Sequence, residues 1–315
     1  MIQLYKKREF GELFSDTFAF LRQTGKHFYK NYFLINGAFI LVLMVLAYFF
    51  MKVYTSLLAT SQGPINPDAT IENYFNDNAL LIVIFMAVFA LVAVFVTFIT
   101  YIYTPVYMLL YAKKGAADFT TKDIVNTLKK NTGKLFIYFF ASMLISLAVF
   151  LGGGIAILIL FVTGIGIFLI PLVVAVITLS YNNAFMEYLD SGKGIFNCFE
   201  YGLQLTFKRF WVSAGCVALF YFMIQIIQGI MTLIPYLVGI FSVFTSSSSL
   251  GSDPDESMGI LLTIMLVFYV LSFLLGLVGN TVVQMNQGIV YFSLKEENEN
   301  INTASVIDQI GTSGD

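Results

Sequence analysis

Amide and hydroxyl side chains set into uncharged apolar sequence are the groups of this chain best placed to do chemistry. Asn36, Thr100, Tyr103, Asn182, Asn183, Asn280, Gln284 and Gln287 all lie within runs free of Asp, Glu, Lys and Arg. Such groups do not ionise near neutral pH; they donate and accept hydrogen bonds. In apolar surroundings an unpaired polar group is costly, so each must bind a neighbouring helix or hold a polar ligand. Ser272, Gly276, Asn280, Gln284 and Gly288 recur at every fourth position, a small-and-polar stripe suited to close helix packing. Two readings stay open. The amides are interhelical glue, or they line a polar cavity that faces the cytosolic leaflet and holds a lipid headgroup or polar solute. Glu187, at the end of the uncharged stretch 135–186, reads as a surface carboxylate.

Other chemistries lack their residues. His27 is the only histidine, and Cys198 and Cys216 are the only cysteines, too few for a metal cluster. No Asp pair lies in the apolar runs. Gly152-Gly153-Gly154 and Gly164-Ile165-Gly166 have no Lys-Ser/Thr after them and sit in apolar sequence, so they are not phosphate loops. No charged group lies in the centre of a run to couple an ion or proton, which disfavours ion-coupled transport. The expectation is no catalytic residue, no metal and no cofactor.

The elements that position the polar groups follow from the charges. Of the 17 Lys and Arg residues, 16 fall at 6–30, 113–134, 193–209 and 295, and the exception is Lys52. Between them lie uncharged stretches at 31–51, 78–112, 135–186, 210–252 and 257–294. Runs of about 20 apolar residues read as membrane spans. The 52 residues of 135–186 are too many for one crossing at about 1.5 Å per residue. They fold back, with a turn at Thr163, Gly164 and Gly166 or a break at Gly152–Gly154. The chain thus reads as an all-α integral membrane protein with six transmembrane helices arranged as three hairpins. All basic clusters then share one side, and the positive-inside rule makes it the cytosol, with both termini there. The loops on the other side, 53–78 and 245–257, hold acids and no Lys or Arg.

An amphipathic interfacial helix is expected before each hairpin. The stripes are Phe10, Leu13, Phe14, Thr17, Phe18 and Leu21; then Ile124 and Leu128 behind a Thr120/Asp123 capping box; then Ile195, Phe196, Phe199, Leu203 and Phe207. Cations and aromatic rings follow each: Lys26 and Lys30, Lys134, and Lys208, Arg209 and Trp211. Cations that snorkel beside interfacial rings are expected to contact lipid. The pattern recurs over about 1–112, 113–190 and 191–294, within one membrane domain of 1–294, and 295–315 reads as a mobile cytosolic tail. The net charge of −2 gives no footing for nucleic acid.

Residues 164–222 carry a resemblance. Gly164 to Pro171 opens a span that ends in Tyr181-Asn182-Asn183-Ala184-Phe185-Met186-Glu187. Ser191-Gly192-Lys193-Gly194 links it to Phe199-Glu200-Tyr201-Gly202-Leu203-Gln204-Leu205-Thr206, then Lys208-Arg209-Phe210-Trp211 and another apolar run. This resembles the membrane-domain family named after bacterial glycerophosphoryl diester phosphodiesterases, together with uncharacterised six-span relatives, without the hydrolase domain. The resemblance implies architecture and a bacterial cytoplasmic (inner) membrane location, not phosphodiester hydrolysis.

The expected function is that of a non-catalytic multi-pass protein. It scaffolds an envelope complex or handles lipid in the inner leaflet, with membrane lipids and a membrane protein as candidate partners. The alternative is a transporter of a small solute or lipid through the cytosol-facing polar cavity. The sequence leaves the oligomeric state open.

Overall fold

The computed structural model describes residues 2–61, 67–115, 117–162, 166–246 and 254–302. Among the described residues there are eight helices and no strands: α1 (Phe10–Ser61), α2 (Pro67–Lys114), α3 (Thr121–Lys130), α4 (Thr132–Val162), α5 (Gly166–Asp190), α6 (Ile195–Lys208), α7 (Phe210–Ser246) and α8 (Pro254–Glu299). Six of them, α1, α2, α4, α5, α7 and α8, are long and apolar enough to cross a membrane. Their walls carry Leu80, Leu144 and Phe150, each about 70% exposed or more. A water-soluble protein does not leave such rows of large apolar side chains uncovered. The chain is a multi-pass membrane protein.

The fold-back in 135–186 is placed by the helix ends. α4 runs through Gly152–Gly154 to Val162 and α5 opens at Gly166. The expected turn residues Thr163 and Gly164 lie outside the described residues, as does most of the Ser-rich stretch 245–252. Both long helices of the first hairpin continue past the hydrocarbon-length run, α1 to Ser61 and α2 from Pro67. The loop expected over 53–78 is therefore mostly helix.

Two of the three helices expected to be interfacial stand apart from the spans that follow them. α3 is set off by its capping box: Thr120 Oγ1 accepts from Asp123 N, and Thr120 N donates to Asp123 Oδ2 at 2.7 Å. The bonds that Thr120 N and Thr120 Oγ1 donate to Asp123 Oδ2 hold the Asp123 carboxyl below the usual range. α6 ends at Arg209, whose backbone leaves the helical region. The first expected helix has no such break. α1 is continuous from Phe10 through the Lys26–Lys30 stretch, because that stretch contains neither Pro nor a capping group to stop it. Of its apolar stripe, Leu13 and Thr17 are buried while Phe10 and Phe18 stay exposed.

The described chain forms two compact units. One comprises residues 1–35, 101–225 and 279–315; the other comprises 36–100 and 226–278. The first unit has an aromatic core of Phe28, Tyr103, Tyr107, Phe185, Phe220 and Tyr291, all buried. Ring pairs there meet edge-on, for example Phe28 and Tyr103 at 4.8 Å, as their quadrupoles favour. In it α6 lies on α5 at Gly202: a Cβ there would sit 2.6 Å from Ala184 N and 2.7 Å from Ser180 O. In the second unit Asn36 Nδ2 donates to Thr100 Oγ1 at 3.0 Å, and Gly276 leaves the space that Gln228 fills.

Candidate functional site

The first unit gathers its charges where α2, α5 and α8 end. Lys295 Nζ lies 2.9 Å from Glu187 Oε2 and 3.2 Å from Asp190 Oδ2; Lys193 reaches Glu187 Oε1 at 2.8 Å and Lys113 reaches Asp190 at 3.2 Å. Tyr291 donates to Glu187 Oε2 at 2.9 Å. Three helix C-termini meet here, and their partial negative charge favours lysines at this place. Glu187 is 1% exposed, so the surface carboxylate expected from sequence is instead a buried ion-pair partner. Lys295 and Glu296 are also buried, and α8 continues to Glu299. The stretch from 295 onward therefore starts as packed helix; residues 303–315 lie outside the described residues.

A second charge organises the N-terminus. Arg8 is 1% exposed. Its Nε donates to Asp16 at 2.8 Å, its Nη1 to the carbonyls of Leu4 and Lys6, and its Nη2 to that of Gln3. One guanidinium thus supplies donors that a short non-helical segment would otherwise lack. Tyr5 of this segment packs on Phe292 at 4.9 Å. Burial first, then the Asp190 charge, pushes its hydroxyl up to about 12. A cavity of about 300 Å³ opens beside it, lined by Gln3, Tyr5, Tyr111, Gly115 and Asn302 among others.

The polar groups singled out from the sequence divide by what they touch. Asn183 Nδ2 donates to Thr206 Oγ1 on α6 at 3.1 Å, and Gln287 Nε2 to Thr178 Oγ1 on α5 at 2.9 Å. Tyr103 donates to the Phe28 carbonyl at 2.7 Å. These are interhelical bonds. Asn182 Nδ2 reaches only Met186 Sδ, at 3.6 Å. The carbonyl oxygens of Asn182, Asn183 and Gln284 are buried with no partner among the described residues. Asn280 is exposed. Of the small-and-polar stripe on α8, Gly276 and Gly288 serve packing, against Gln228 and Met108 within their respective units.

The expected lipid-contact residues also divide. Lys134 Nζ donates to the carbonyls of Tyr188 and Ser191 at 2.9 and 3.3 Å, which closes the C-terminus of α5. Arg209 bonds the Arg8 carbonyl and pairs with Glu9. Lys208 donates to Asn298 at 2.9 Å. Lys26 and Lys30 are exposed, and Trp211 is 73% exposed. On α6 the buried face is Cys198, Gly202, Leu205 and Thr206, while Phe196, Leu203 and Phe207 project outward at 50% exposure or more. Burial raises the Cys198 thiol and the Tyr201 hydroxyl above their ordinary values.

Sequence reasoning missed the Lys295–Glu187–Asp190 cluster and Arg8. The signal was present: Glu187 and Lys295 are the charges that close the uncharged stretches 135–186 and 257–294. His27 is better held than an interfacial residue would be. Its Nδ1 lies 2.9 Å from the Tyr107 hydroxyl and its Nε2 lies 2.8 Å from the Phe119 carbonyl. Among the described residues no group of three His, Cys, Asp or Glu is placed to hold a metal. The chain matches none of the family models, curated proteins or solved structures.

Proposed function

We propose that this chain is a non-catalytic protein of a bacterial cytoplasmic membrane, with both termini in the cytosol, that organises or handles inner-leaflet lipid or scaffolds an envelope complex there. The observation that carries the reading is α6. Gly202 and Thr206 meet α5, and Phe196, Leu203 and Phe207 face away and lead directly into Trp211 at the start of α7. A short helix with that arrangement lies in the plane of a membrane interface with its apolar side in the acyl boundary.

Trp211 is the only tryptophan, so its fluorescence reports on this face alone. In vesicles of lipid brominated along the acyl chain, bromines near the glycerol are expected to quench Trp211 more strongly than bromines deep in the chain. Emission that brominated lipid leaves unchanged would remove the lipid-contact reading.

A second reading, passage of a small polar solute or lipid through the bundle, is favoured by the Asn182 and Gln284 carbonyl oxygens that lack partners among the described residues. Buried acceptors of this kind cost free energy unless something donates to them. Asn36, Thr100, Tyr103, Gln287 and the Asn183 amide nitrogen make bonds between helices, which is why the non-transport reading is placed first.

A further inference from the structure

Most cations of the first unit are engaged within the fold. Lys6 pairs with Glu12, Lys114 with Asp123, Lys113 and Lys295 with Asp190, and Lys193 with Glu187. Five lysines are different. Lys26, Lys30, Lys122, Lys129 and Lys130 are exposed, and among the described residues no salt bridge or side-chain hydrogen bond joins them to an acid or carbonyl.

Their placement is not scattered. α1 is tied to the start of α3 by two contacts. His27 reaches the Phe119 carbonyl, and Thr121 Oγ1 donates to Asn31 Oδ1. Lys26 and Lys30 stand next to those two α1 residues and are one helical turn apart, on one face. Lys122 follows Thr121. Lys129 and Lys130 lie at the far end of α3, where the helix dipole also favours cations.

Each group borders an apolar wall. Phe33 and Leu34, 45% and 63% exposed, follow Lys30 on α1; Phe136, Ile137 and Phe140, all above 50%, follow Lys129 and Lys130 on α4. Unpaired ammonium groups thus stand within about two helical turns of the level at which exposed side chains become continuously apolar. In a bilayer that level is the boundary between headgroups and hydrocarbon.

We propose that the α1–α3 junction, through Lys26, Lys30 and Lys122 with Lys129 and Lys130 beyond them, is a binding surface selective for anionic phospholipid. The proposal rests on the lipid-contact reading and adds the headgroup chemistry. The donor set is cationic, so a phosphate that bears net negative charge is favoured over a zwitterionic headgroup. The adjoining apolar wall requires acyl chains on the same molecule, which a soluble polyanion does not have. A lysine near a negative surface contributes about a fivefold change in binding.

The test uses the full chain with Phe33→Trp in a Trp211→Phe background, reconstituted in mixtures of brominated anionic and brominated zwitterionic phospholipid. Quenching by each lipid gives their relative affinity at this face. The expected result is a preference for the anionic lipid of about fivefold or more. It should fall to near unity in Lys26→Gln/Lys30→Gln/Lys122→Gln and return in the corresponding Arg variant, which controls for folding. Equal quenching by both lipids in the parent overturns the proposal while leaving lipid contact intact. A preference that survives the triple Gln change overturns the assignment to these lysines. No quenching by either lipid removes the lipid-contact reading itself.

Discussion

Lys295→Met is expected to destabilise the protein by roughly 3 kcal/mol, the lower end of what breaking a buried ion pair costs. Lys295 and Glu187 have side chains 7% and 2% exposed. Removing the ammonium leaves Glu187 and Asp190 without their shared partner, and the Glu187 side chain is only 2% exposed. The lower end applies because Lys193 and Tyr291 still bond Glu187. The double variant Lys295→Met/Glu187→Leu should recover most of the loss, since an apolar pair in place of a buried ion pair is near neutral. By contrast, Lys6→Met removes a pair whose side chains are 46% and 45% exposed, and should leave the unfolding midpoint nearly unchanged. Thermal unfolding in detergent, read as a double-mutant cycle, checks all three. A Lys295→Met variant as stable as the parent would mean that this cluster is not formed.

The second large effect concerns Gly202. A methyl group there would lie within 2.7 Å of two backbone atoms of α5, Ala184 N and Ser180 O. Backbone in the middle of a helix cannot yield as a side-chain tip can, so α6 must lift from α5. That overpacking is expected to cost about 1–3 kcal/mol for Gly202→Ala, and more for Gly202→Val. The Thr206 hydroxyl, which receives Asn183 and Ser180 at 3.1 Å each, would be pulled away with it. Gly192→Ala is the control. Nothing lies within 4 Å of a Cβ at that position, so its effect should stay within about 0.5 kcal/mol. The same unfolding assay reads both variants. Equal stability of the two would show that α6 does not pack on α5 at Gly202.

These two sites mark where the sequence was legible and where it was not. The six long apolar helices follow from the distribution of Lys, Arg, Asp and Glu, because charge is costly in hydrocarbon and the pattern needs no tertiary information. The Thr120/Asp123 box was legible for a similar reason: both of its bonds are local. α6 was read by its large apolar side chains; Phe196, Leu203 and Phe207 turn out to be exposed, while Phe199 packs inward on Tyr138 and Tyr181. The face that meets α5 is made of Cys198, Gly202, Leu205 and Thr206. Close helix approach selects small side chains, which hydrophobic periodicity does not detect. The break expected in α1 near Lys26–Lys30 is absent, since a cluster of charge and rings alone does not terminate a helix.

The polar set shows a different limit. Each amide was visible, but whether it bonds a neighbour depends on residues far along the chain, such as Gln287 with Thr178. Glu187 shows it most plainly. As a lone acid beside an apolar run it looked like a surface group. Its burial depends on Lys295, 108 residues away. Local reading gives the cost of burying a charge and not the partner that offsets it.

In the proposed topology six helices cross the membrane with every basic bend on one face. Single-cysteine labelling tests it most directly, in a Cys198→Ala/Cys216→Ala background with a membrane-impermeant maleimide on intact cells and on opened membranes. Lys7→Cys, Asn126→Cys and Gln204→Cys are expected to react only from the cytosolic side, and Asn76→Cys only from the outer side. Labelling of Asn126→Cys from outside, or of Asn76→Cys from the same side as Lys7→Cys, would contradict the account.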